Sequence, residues 1–147
     1  MTIYNVASAQ MMHSLGVWFA SVLKPNCVVS FFGDLAAGKT TFIKGMAESL
    51  GVDPNTVNSP TFQYLNIYQG PYQDSPSIFH FDLYRLENSE DFLAMGFEEL
   101  FCRGGITCIE WAERIGAILP KNCIHVSIAH TENGQRQVKI EPLEIVS

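Results

Sequence analysis

The chain has 147 residues, of which 47% are hydrophobic and 16% are charged, and its formal net charge is -6 at pH 7. This length and composition exclude a disordered, fibrous or repeat-built chain and predict a single domain over residues 1–147. The acidic balance argues against broad electrostatic binding to nucleic acid or to an anionic membrane. The 4 cysteines form no CxxC pair and have no zinc-ligand spacing, so we expect reduced core thiols in a cytoplasmic protein.

The segment before Pro25 predicts an amphipathic helix. Its apolar residues recur at helical spacing from Met11 to Leu23, and Ser8 is suited to the N-cap. The most apolar part is about half as long as a membrane span, and no Lys or Arg precedes it. We therefore predict neither a signal peptide nor a transmembrane helix, and no membrane partner.

A strand, a glycine turn and a second helix follow in immediate succession. Residues 27–32 are continuously apolar, which favours a strand buried on both faces. Gly33 to Gly38 form the turn, and the spacing of apolar residues predicts a helix over Lys39 to Leu50, ended by Gly51.

The remainder of the chain alternates between strand patterns and helical patterns. The predicted strands are Phe62–Tyr68, Ile78–Tyr84, Ile106–Glu110, Cys123–Thr131 and Arg136–Glu141. The predicted helical segments are Ser89–Phe101, capped by Ser89 and broken at Gly96, and Ala112–Leu119. The first two of these strands are close in sequence and the last two are joined around Asn133-Gly134, so both pairs are predicted to be antiparallel hairpins.

Residues 33–40 match the phosphate-loop pattern GxxxxGK[ST]. In such a loop, backbone N–H groups and the dipole of the following helix attract the β-phosphate of a nucleotide. We predict that Lys39 reaches the β- and γ-phosphates, that the Thr40 hydroxyl binds Mg²⁺ and that Thr41 contacts the α-phosphate. The predicted nucleotide-binding residues of this stretch are Gly33, Asp34, Leu35, Ala36, Ala37, Gly38, Lys39, Thr40 and Thr41. The fold class is therefore α/β, a single P-loop NTPase-like domain with a mixed parallel and antiparallel sheet flanked by helices.

Two carboxylates are candidates for the chemistry beside this loop. Glu110 ends an apolar strand, which is the usual place for the carboxylate of a P-loop metal site, so we predict it as a ligand of Mg²⁺. Strand alternation puts His80, Asp82 and Tyr84 on one face. Asp82 could order an attacking water or lie behind the metal, and His80 could orient Asp82 or contact phosphate. A His–Asp pair that only satisfies itself at a sheet edge is the alternative.

Four stretches together resemble the bacterial TsaE (YjeE) family in order and spacing. They are GDLAAGKTT at 33–41, SPTF at 59–62, HFDLYRL at 80–86 and IEWAER at 109–114. That family consists of small P-loop ATPases needed for the threonylcarbamoyladenosine (t6A) modification of tRNA at adenosine 37. The resemblance implies ATP and Mg²⁺ as cofactors, the TsaB and TsaD proteins as partners, and contact with tRNA only through their complex.

The resemblance also implies roles for individual residues. It makes Lys39 and Asp82 the catalytic residues, with Asp82 acting in hydrolysis. Residues 59–61, which include Thr61, look like the family's switch segment beside the γ-phosphate. Trp111 looks like the tryptophan beside the metal-binding glutamate, with a core aromatic as the alternative. Residues near Ser8 are expected to approach the adenine.

The phosphate loop departs from the family pattern at Ala36, where the family usually has Gly. A positive φ at this position would cost roughly 1 kcal/mol for Ala. We expect either a several-fold weaker nucleotide affinity or a relaxed loop.

Three functions compete for this sequence. An ATPase that supports a partner complex is favoured, because so short a chain has little room for a second substrate. A small-molecule kinase would need more cations to clamp two substrates, and the 4 arginines are scattered. A nucleotide-gated scaffold with negligible hydrolysis also fits the pattern. The chain has no Asn-Lys-x-Asp guanine signature, so ATP is preferred to GTP.

Overall fold

The computed structural model, which describes residues 2–33, 37–58, 63–72 and 74–142, contains a sheet of seven strands. The strands are β1 Thr2–Val6, β2 Val28–Phe32, β3 Leu65–Tyr68, β4 Ile78–Asp82, β5 Ile106–Glu110, β6 Ile124–His130 and β7 Arg136–Glu141. Their order across the sheet is β1-β7-β6-β2-β5-β4-β3. The predicted α/β class with a mixed sheet is confirmed.

The centre of the sheet is parallel. β2 lies between β5 and β6, and β4 pairs with the other side of β5, all in the parallel sense. β2 and β5 are nearly continuous runs of buried residues, as expected for strands covered on both faces. The carboxyl ends of these strands meet at one edge of the sheet, where β2 runs into Gly33.

The flanks of the sheet are antiparallel. β6 and β7 form the predicted hairpin, and so do β3 and β4. β3 begins at Leu65, three residues later than predicted, after Tyr64 at φ 62. β1 was not predicted, because this short edge strand reaches β7 only through long-range pairing, from Thr2 opposite Ile140 to Val6 opposite Arg136.

Two helices cover one face of the sheet. α1 spans Ala9–Val22 and α2 spans Lys39–Ser49, and both pack on the apolar layer that includes Val29 and Cys108. The helices cross backbone to backbone, because a side chain at Gly16 would begin 2.1 Å from a carbonyl oxygen of α2. This packing fixes the first turn of α2 above the ends of the parallel strands. In the part of the chain that the structure describes, no helix is long and apolar enough to span a bilayer.

The opposite face carries three short helical segments. They are α3, Ser89–Ala94, and the 3-10 helices Phe97–Cys102 and Ala112–Ile118. The predicted helix Ser89–Phe101 is therefore interrupted, as expected, at Gly96. The predicted cap at Ser89 is wrong by one residue, because the Asn88 Oδ1 atom accepts the N–H of Asp91 at 2.9 Å.

The cysteines differ in their exposure. Cys108 and Cys123 are buried free thiols, as predicted, and Cys27 is half-buried. Cys102 is exposed, so the prediction of a core thiol is wrong there. It lies at the end of a 3-10 helix, where the chain turns toward β5.

Candidate nucleotide and metal site

The two predicted carboxylates lie side by side at the carboxyl edge of the sheet. Asp82 is opposite Glu110 in the parallel pairing of β4 with β5, and Glu110 is opposite Phe31 of β2. Because Phe31 lies two residues before Gly33, the register brings both carboxylates to the start of the phosphate loop. The two strand ends and the loop therefore share one site.

The glycines at the start and end of the loop hold conformations that larger residues rarely adopt. Gly33 has φ 148, and a side chain there would begin 2.6 Å from the carbonyl oxygen of Ile128. Gly38 has φ 116 and is the N-cap of α2. The backbone N–H groups in the first turn of a helix have no acceptor within the helix, and their partial positive charge favours an anion. α2 thus directs its N-terminus at the site.

Lys39, the first residue of α2, crosses the site to β5. Its Nζ donates to the carbonyl oxygen of Gly33 at 2.9 Å and lies 3.5 Å from the Glu110 Oε1 atom. The side chains of Lys39 and Glu110 are only 10% and 7% exposed. The ammonium group is thus held between the loop and the carboxylate, in a partly desolvated position.

Glu110 is buried, yet its surroundings favour the ionised carboxylate. Its Oε2 atom lies 2.7 Å from the His80 Nε2 atom. Burial alone would raise the pKa of Glu110, but the hydrogen bond and charge of His80, with the charge of Lys39, hold that pKa below its ordinary value. The result is a charged oxygen donor beside the phosphate loop.

His80 is fully buried and spans two partners. Its Nε2 atom faces Glu110, and its Nδ1 atom lies 3.0 Å from the Tyr68 Oη atom. The alternative of a hydrogen-bonded His80–Asp82 pair is therefore wrong. The reason is strand order: β5 lies beside β4, and the longer Glu110 side chain reaches back to His80.

Asp82 occupies a different environment from Glu110. It is half-buried, and its Oδ1 atom accepts the N–H of Tyr84 at 3.0 Å. Burial and the nearby charge of Glu110 raise the pKa of Asp82, against the lowering effects of the Tyr84 hydrogen bond and the charges of His80 and Lys39. The bond to Tyr84 turns the chain as β4 ends at Asp82, so the predicted strand position of Tyr84 is wrong and its side chain is exposed.

A separate pocket lies between the end of β1, α1 and α2. Its volume is about 230 Å³, and its lining includes Ser8, Gly38, Thr41 and Arg136. Ser8 caps α1, since its Oγ atom accepts the N–H of Met11 at 3.1 Å. Ser8 and Thr41, two of the residues expected to contact the nucleotide, therefore border one cavity.

The loop is also held from β7. The guanidinium Nε of Arg136 donates to the carbonyl oxygen of Ala37 at 3.2 Å. Ala37 is fully buried next to Gly38. Sequence patterns gave no reason to place Arg136 here, because the contact joins positions 99 residues apart.

Trp111 follows β5 and borders the same edge of the sheet. It is 37% exposed and lines a cleft with Gly33 and Lys39, so the alternative of a core aromatic is wrong. Its ring centroid lies 5.0 Å from that of Tyr84, and the Arg114 guanidinium lies 5.7 Å from the ring. Its φ of 61 is left-handed, a conformation that costs a non-glycine residue roughly 1–2 kcal/mol.

The other predicted site residues divide into two groups. Thr40 is half-buried in the first turn of α2, next to Lys39. Asp34, Leu35, Ala36 and Thr61 lie outside the described residues, with the rest of segment 59–62. Their predicted contacts, including the effect of Ala36, stay predictions.

The described oxygen atoms at this edge of the sheet are too few to bind a hard cation without a bound nucleotide. In the described ranges, no group of three or more His, Cys, Asp or Glu side chains could hold a metal ion. Mg²⁺ typically takes one or two protein oxygens and completes its shell with phosphates and water. The ionised Glu110 and the Thr40 hydroxyl fit that requirement, and Lys39 fits the charge of a nucleotide phosphate.

Comparisons with known proteins agree with the family resemblance. Residues 6–138 match the family model for the threonylcarbamoyl adenosine biosynthesis protein TsaE. The tRNA threonylcarbamoyladenosine biosynthesis protein TsaE of Treponema pallidum is 36% identical over 133 residues, covering 90% of this chain and 95% of that protein. The protein of the same name from Bacillus subtilis is 38% identical over 120 residues, covering 81% of this chain and 72% of that protein.

A solved structure shows the same fold. The crystal structure of Bacillus subtilis YdiB superimposes with a TM-score of 0.75 at 27% identity, covering 95% of this chain and 83% of that one. Together with the family match over residues 6–138, this identifies the chain as a member of the TsaE family of tRNA threonylcarbamoyladenosine biosynthesis proteins.

Proposed function

We propose that this protein is a Mg²⁺-dependent ATPase that supports a TsaB–TsaD complex in the t6A modification of tRNA at adenosine 37. The observation that carries the proposal is the position of the Lys39 ammonium, 2.9 Å from Gly33 O and 3.5 Å from Glu110 Oε1 at the N-terminus of α2. It places a partly buried cation, a helix N-terminus and an ionised carboxylate around one space.

Phosphate binding uses the loop and the first turn of α2. The free N–H groups of that first turn and the helix dipole attract the phosphates. Lys39 exchanges its contacts with Gly33 and Glu110 for phosphate oxygens, which are stronger acceptors for an ammonium group than a neutral carbonyl. The pocket bordered by Ser8 and Thr41 receives the nucleoside.

Glu110 and Thr40 are the residues that would hold Mg²⁺. Once Lys39 turns to the phosphates, Glu110 Oε1 becomes available as a ligand, while Oε2 stays bonded to His80. The bound ion would neutralise charge that develops on the phosphate oxygens.

Asp82 is the candidate for the hydrolytic step. It lies beside Glu110 in register, but it makes no ion pair among the described residues. A half-buried carboxylate with a raised pKa is a better proton acceptor than an ordinary aspartate. Asp82 thus orients a water molecule and takes its proton as the γ-phosphate is attacked.

The test is ATP hydrolysis by the purified chain, measured with and without Mg²⁺, alone and with TsaB and TsaD from the same source. Lys39→Ala is the blank, and GTP replaces ATP in a parallel series. We expect Mg²⁺-dependent turnover that is weak alone and rises with the partners. Equal use of GTP would contradict the choice of ATP.

Two other outcomes point to the competing functions. If ATP binds with Mg²⁺ but no hydrolysis occurs even with the partners, the protein is a nucleotide-gated scaffold. If phosphate transfer appears only when a small-molecule acceptor is added, it is a kinase. Two of the arginines count against the kinase, since Arg103 pairs with Glu99 and Arg136 donates to the carbonyl oxygen of Ala37.

A further inference from the structure

A continuous path of hydrogen bonds leads from Glu110 away from the phosphate loop. Glu110 Oε2 meets His80 Nε2 at 2.7 Å, and His80 Nδ1 meets Tyr68 Oη at 3.0 Å. The Tyr68 hydroxyl donates to the carbonyl oxygen of Asn58 at 2.7 Å and accepts the N–H of the same residue at 3.1 Å. The path ends on the backbone of Asn58, in the loop before β3.

Strand pairing makes this path rigid. Tyr68 and His80 belong to the antiparallel pair β3 and β4, in which Asn66 is opposite His80. Asn66 also donates to the Oδ1 atom of Asn58 at 2.8 Å, so Asn58 is held twice. Tyr68 is 5% exposed and His80 is fully buried, so the part of the path next to Glu110 lies out of solvent.

The ion pair with Lys39 cannot hold the Glu110 carboxylate in place once a nucleotide is bound. Lys39 contacts the other carboxylate oxygen, Oε1, at 3.5 Å, and under the proposed function it leaves when phosphate arrives. Among the described contacts, the Glu110 carboxylate then keeps only its hydrogen bond with His80. A metal-binding carboxylate whose second oxygen is held by a hydrogen bond loses about 10–100-fold in metal affinity when that partner is removed.

We propose that Tyr68 and His80 are positioning residues. Through their hydrogen bonds to each other and to the backbone of Asn58, they hold the Glu110 carboxylate in the orientation that binds the metal. The inference rests on the proposed function, because it assumes that Glu110 binds the cation of a metal–nucleotide complex. Both residues then affect metal binding through Glu110, and neither contacts the nucleotide.

The first test uses Tyr68→Phe, which keeps the ring and removes the hydroxyl. Mn²⁺ is the probe: its free concentration is followed by electron paramagnetic resonance in the presence of a non-hydrolysable ATP analogue. We expect Mn²⁺ affinity to fall, by less than the roughly 10–100-fold loss expected when a direct partner of the carboxylate is removed, while the affinity for the analogue in EDTA is unchanged. Tyr72→Phe is the matched control, because this tyrosine is 76% exposed and should behave as wild type.

The second test replaces His80 by two amides that each imitate one ring nitrogen. In His80→Gln the amide nitrogen falls near Nε2 and can still donate to Glu110. In His80→Asn it falls near Nδ1 and can reach only Tyr68. If His80 acts through Glu110, the Gln variant retains more Mn²⁺ affinity than the Asn variant. A general packing defect would lower the melting temperature of both and would not rank them this way.

These measurements separate the inference from the proposed function. Wild-type protein that binds no Mn²⁺ with the analogue contradicts the proposed function itself. Wild-type protein that binds Mn²⁺ tightly, with folded Tyr68→Phe and His80→Asn variants that bind it equally well, overturns only the positioning role. Should Tyr68→Phe fail to fold, the ranking of the two His80 variants decides the question.

Discussion

The ends of β4 and β5 carry two carboxylates, opposite each other in the strand register, with opposite properties. Glu110 is 5% exposed, bonded to His80 and close to Lys39, and its pKa is lowered. Asp82 is half-buried, accepts a backbone N–H from Tyr84, and its pKa is raised. Position on the sheet therefore does not decide what a carboxylate can do. Its neighbours do, and under the proposed function they separate the metal ligand Glu110 from the proton acceptor Asp82.

The difference has a simple electrostatic origin. Glu110 faces a cation at 3.5 Å and a histidine at 2.7 Å, which together outweigh its burial. For Asp82, burial first and the charge of Glu110 second raise the pKa, and the Tyr84 hydrogen bond and the charges of His80 and Lys39 offset this only in part. Two carboxylates that share a site cannot both ionise easily, so the one with better partners ionises first. Substitutions that alter one side of this pair at a time therefore separate the two roles.

Lys39→Ala should have the largest effect. It removes the cation that stabilises both Glu110 and the phosphates, and loss of one such donor from a transition-state site costs about 10²–10³-fold in rate. We expect ATP turnover to fall by at least that factor and ATP affinity to fall as well. Lys44→Ala, on the same helix α2, is the control. Full turnover by Lys39→Ala would rule out the phosphate-loop assignment.

Asp82→Asn should lower turnover and leave binding intact. The amide is the same size but cannot accept a proton from water, and general-base catalysis contributes about 10²–10⁴-fold. We expect kcat to fall by about 10²-fold or more, with an ATP affinity within a factor of about two of wild type. Steady-state kinetics and equilibrium binding of a non-hydrolysable analogue measure the two quantities. A variant that hydrolyses ATP normally would remove Asp82 from the mechanism.

The free energies of unfolding of Asp82→Asn and Glu110→Gln, each relative to wild type, should change with pH in opposite directions. The pKa of Glu110 lies below its ordinary 4.5 in the folded protein, so ionised Glu110 stabilises the fold above that pH, and the contribution disappears in acid. The pKa of Asp82 lies above its ordinary 3.8, so its ionisation destabilises the fold as the pH rises through the raised value.

Urea unfolding of both variants, compared with wild type at about pH 3 and about pH 7, measures this effect. On going to the higher pH, the free energy of unfolding of Asp82→Asn should rise relative to wild type, and that of Glu110→Gln should fall. The effects are smaller than the kinetic ones. The same sign of change in both variants would show that the two carboxylates do not differ as described.

Local patterns in the sequence predicted the α/β class with a mixed sheet and directed attention to the edge that carries the candidate site. β2 and β5 are continuous apolar runs, and the phosphate-loop pattern between β2 and α2 directs attention to Lys39 and Glu110. The edge strand β1 was missed, because five residues with weak alternation become a strand only through pairing with β7.

The connections of His80 could not be predicted for a related reason. Strand alternation groups His80 with Asp82, but the strand order places Glu110 of β5 within reach of the imidazole. The bond to Tyr68 depends on the register between β3 and β4, which the sequence of neither strand determines by itself. The opposite pKa shifts of Asp82 and Glu110 follow from burial and from these contacts, so the sequence could not predict them either.

The most direct test of the account compares the apparent Mg²⁺ affinity of Glu110→Gln and Asp82→Asn, measured by equilibrium binding of a non-hydrolysable ATP analogue across a Mg²⁺ titration. We predict that Glu110→Gln shifts the titration to higher Mg²⁺ by roughly tenfold or more, because a neutral amide is a weaker ligand for a hard cation, and that Asp82→Asn leaves it unchanged. A shift in Asp82→Asn with none in Glu110→Gln would contradict the account, because the metal would then belong to the other carboxylate.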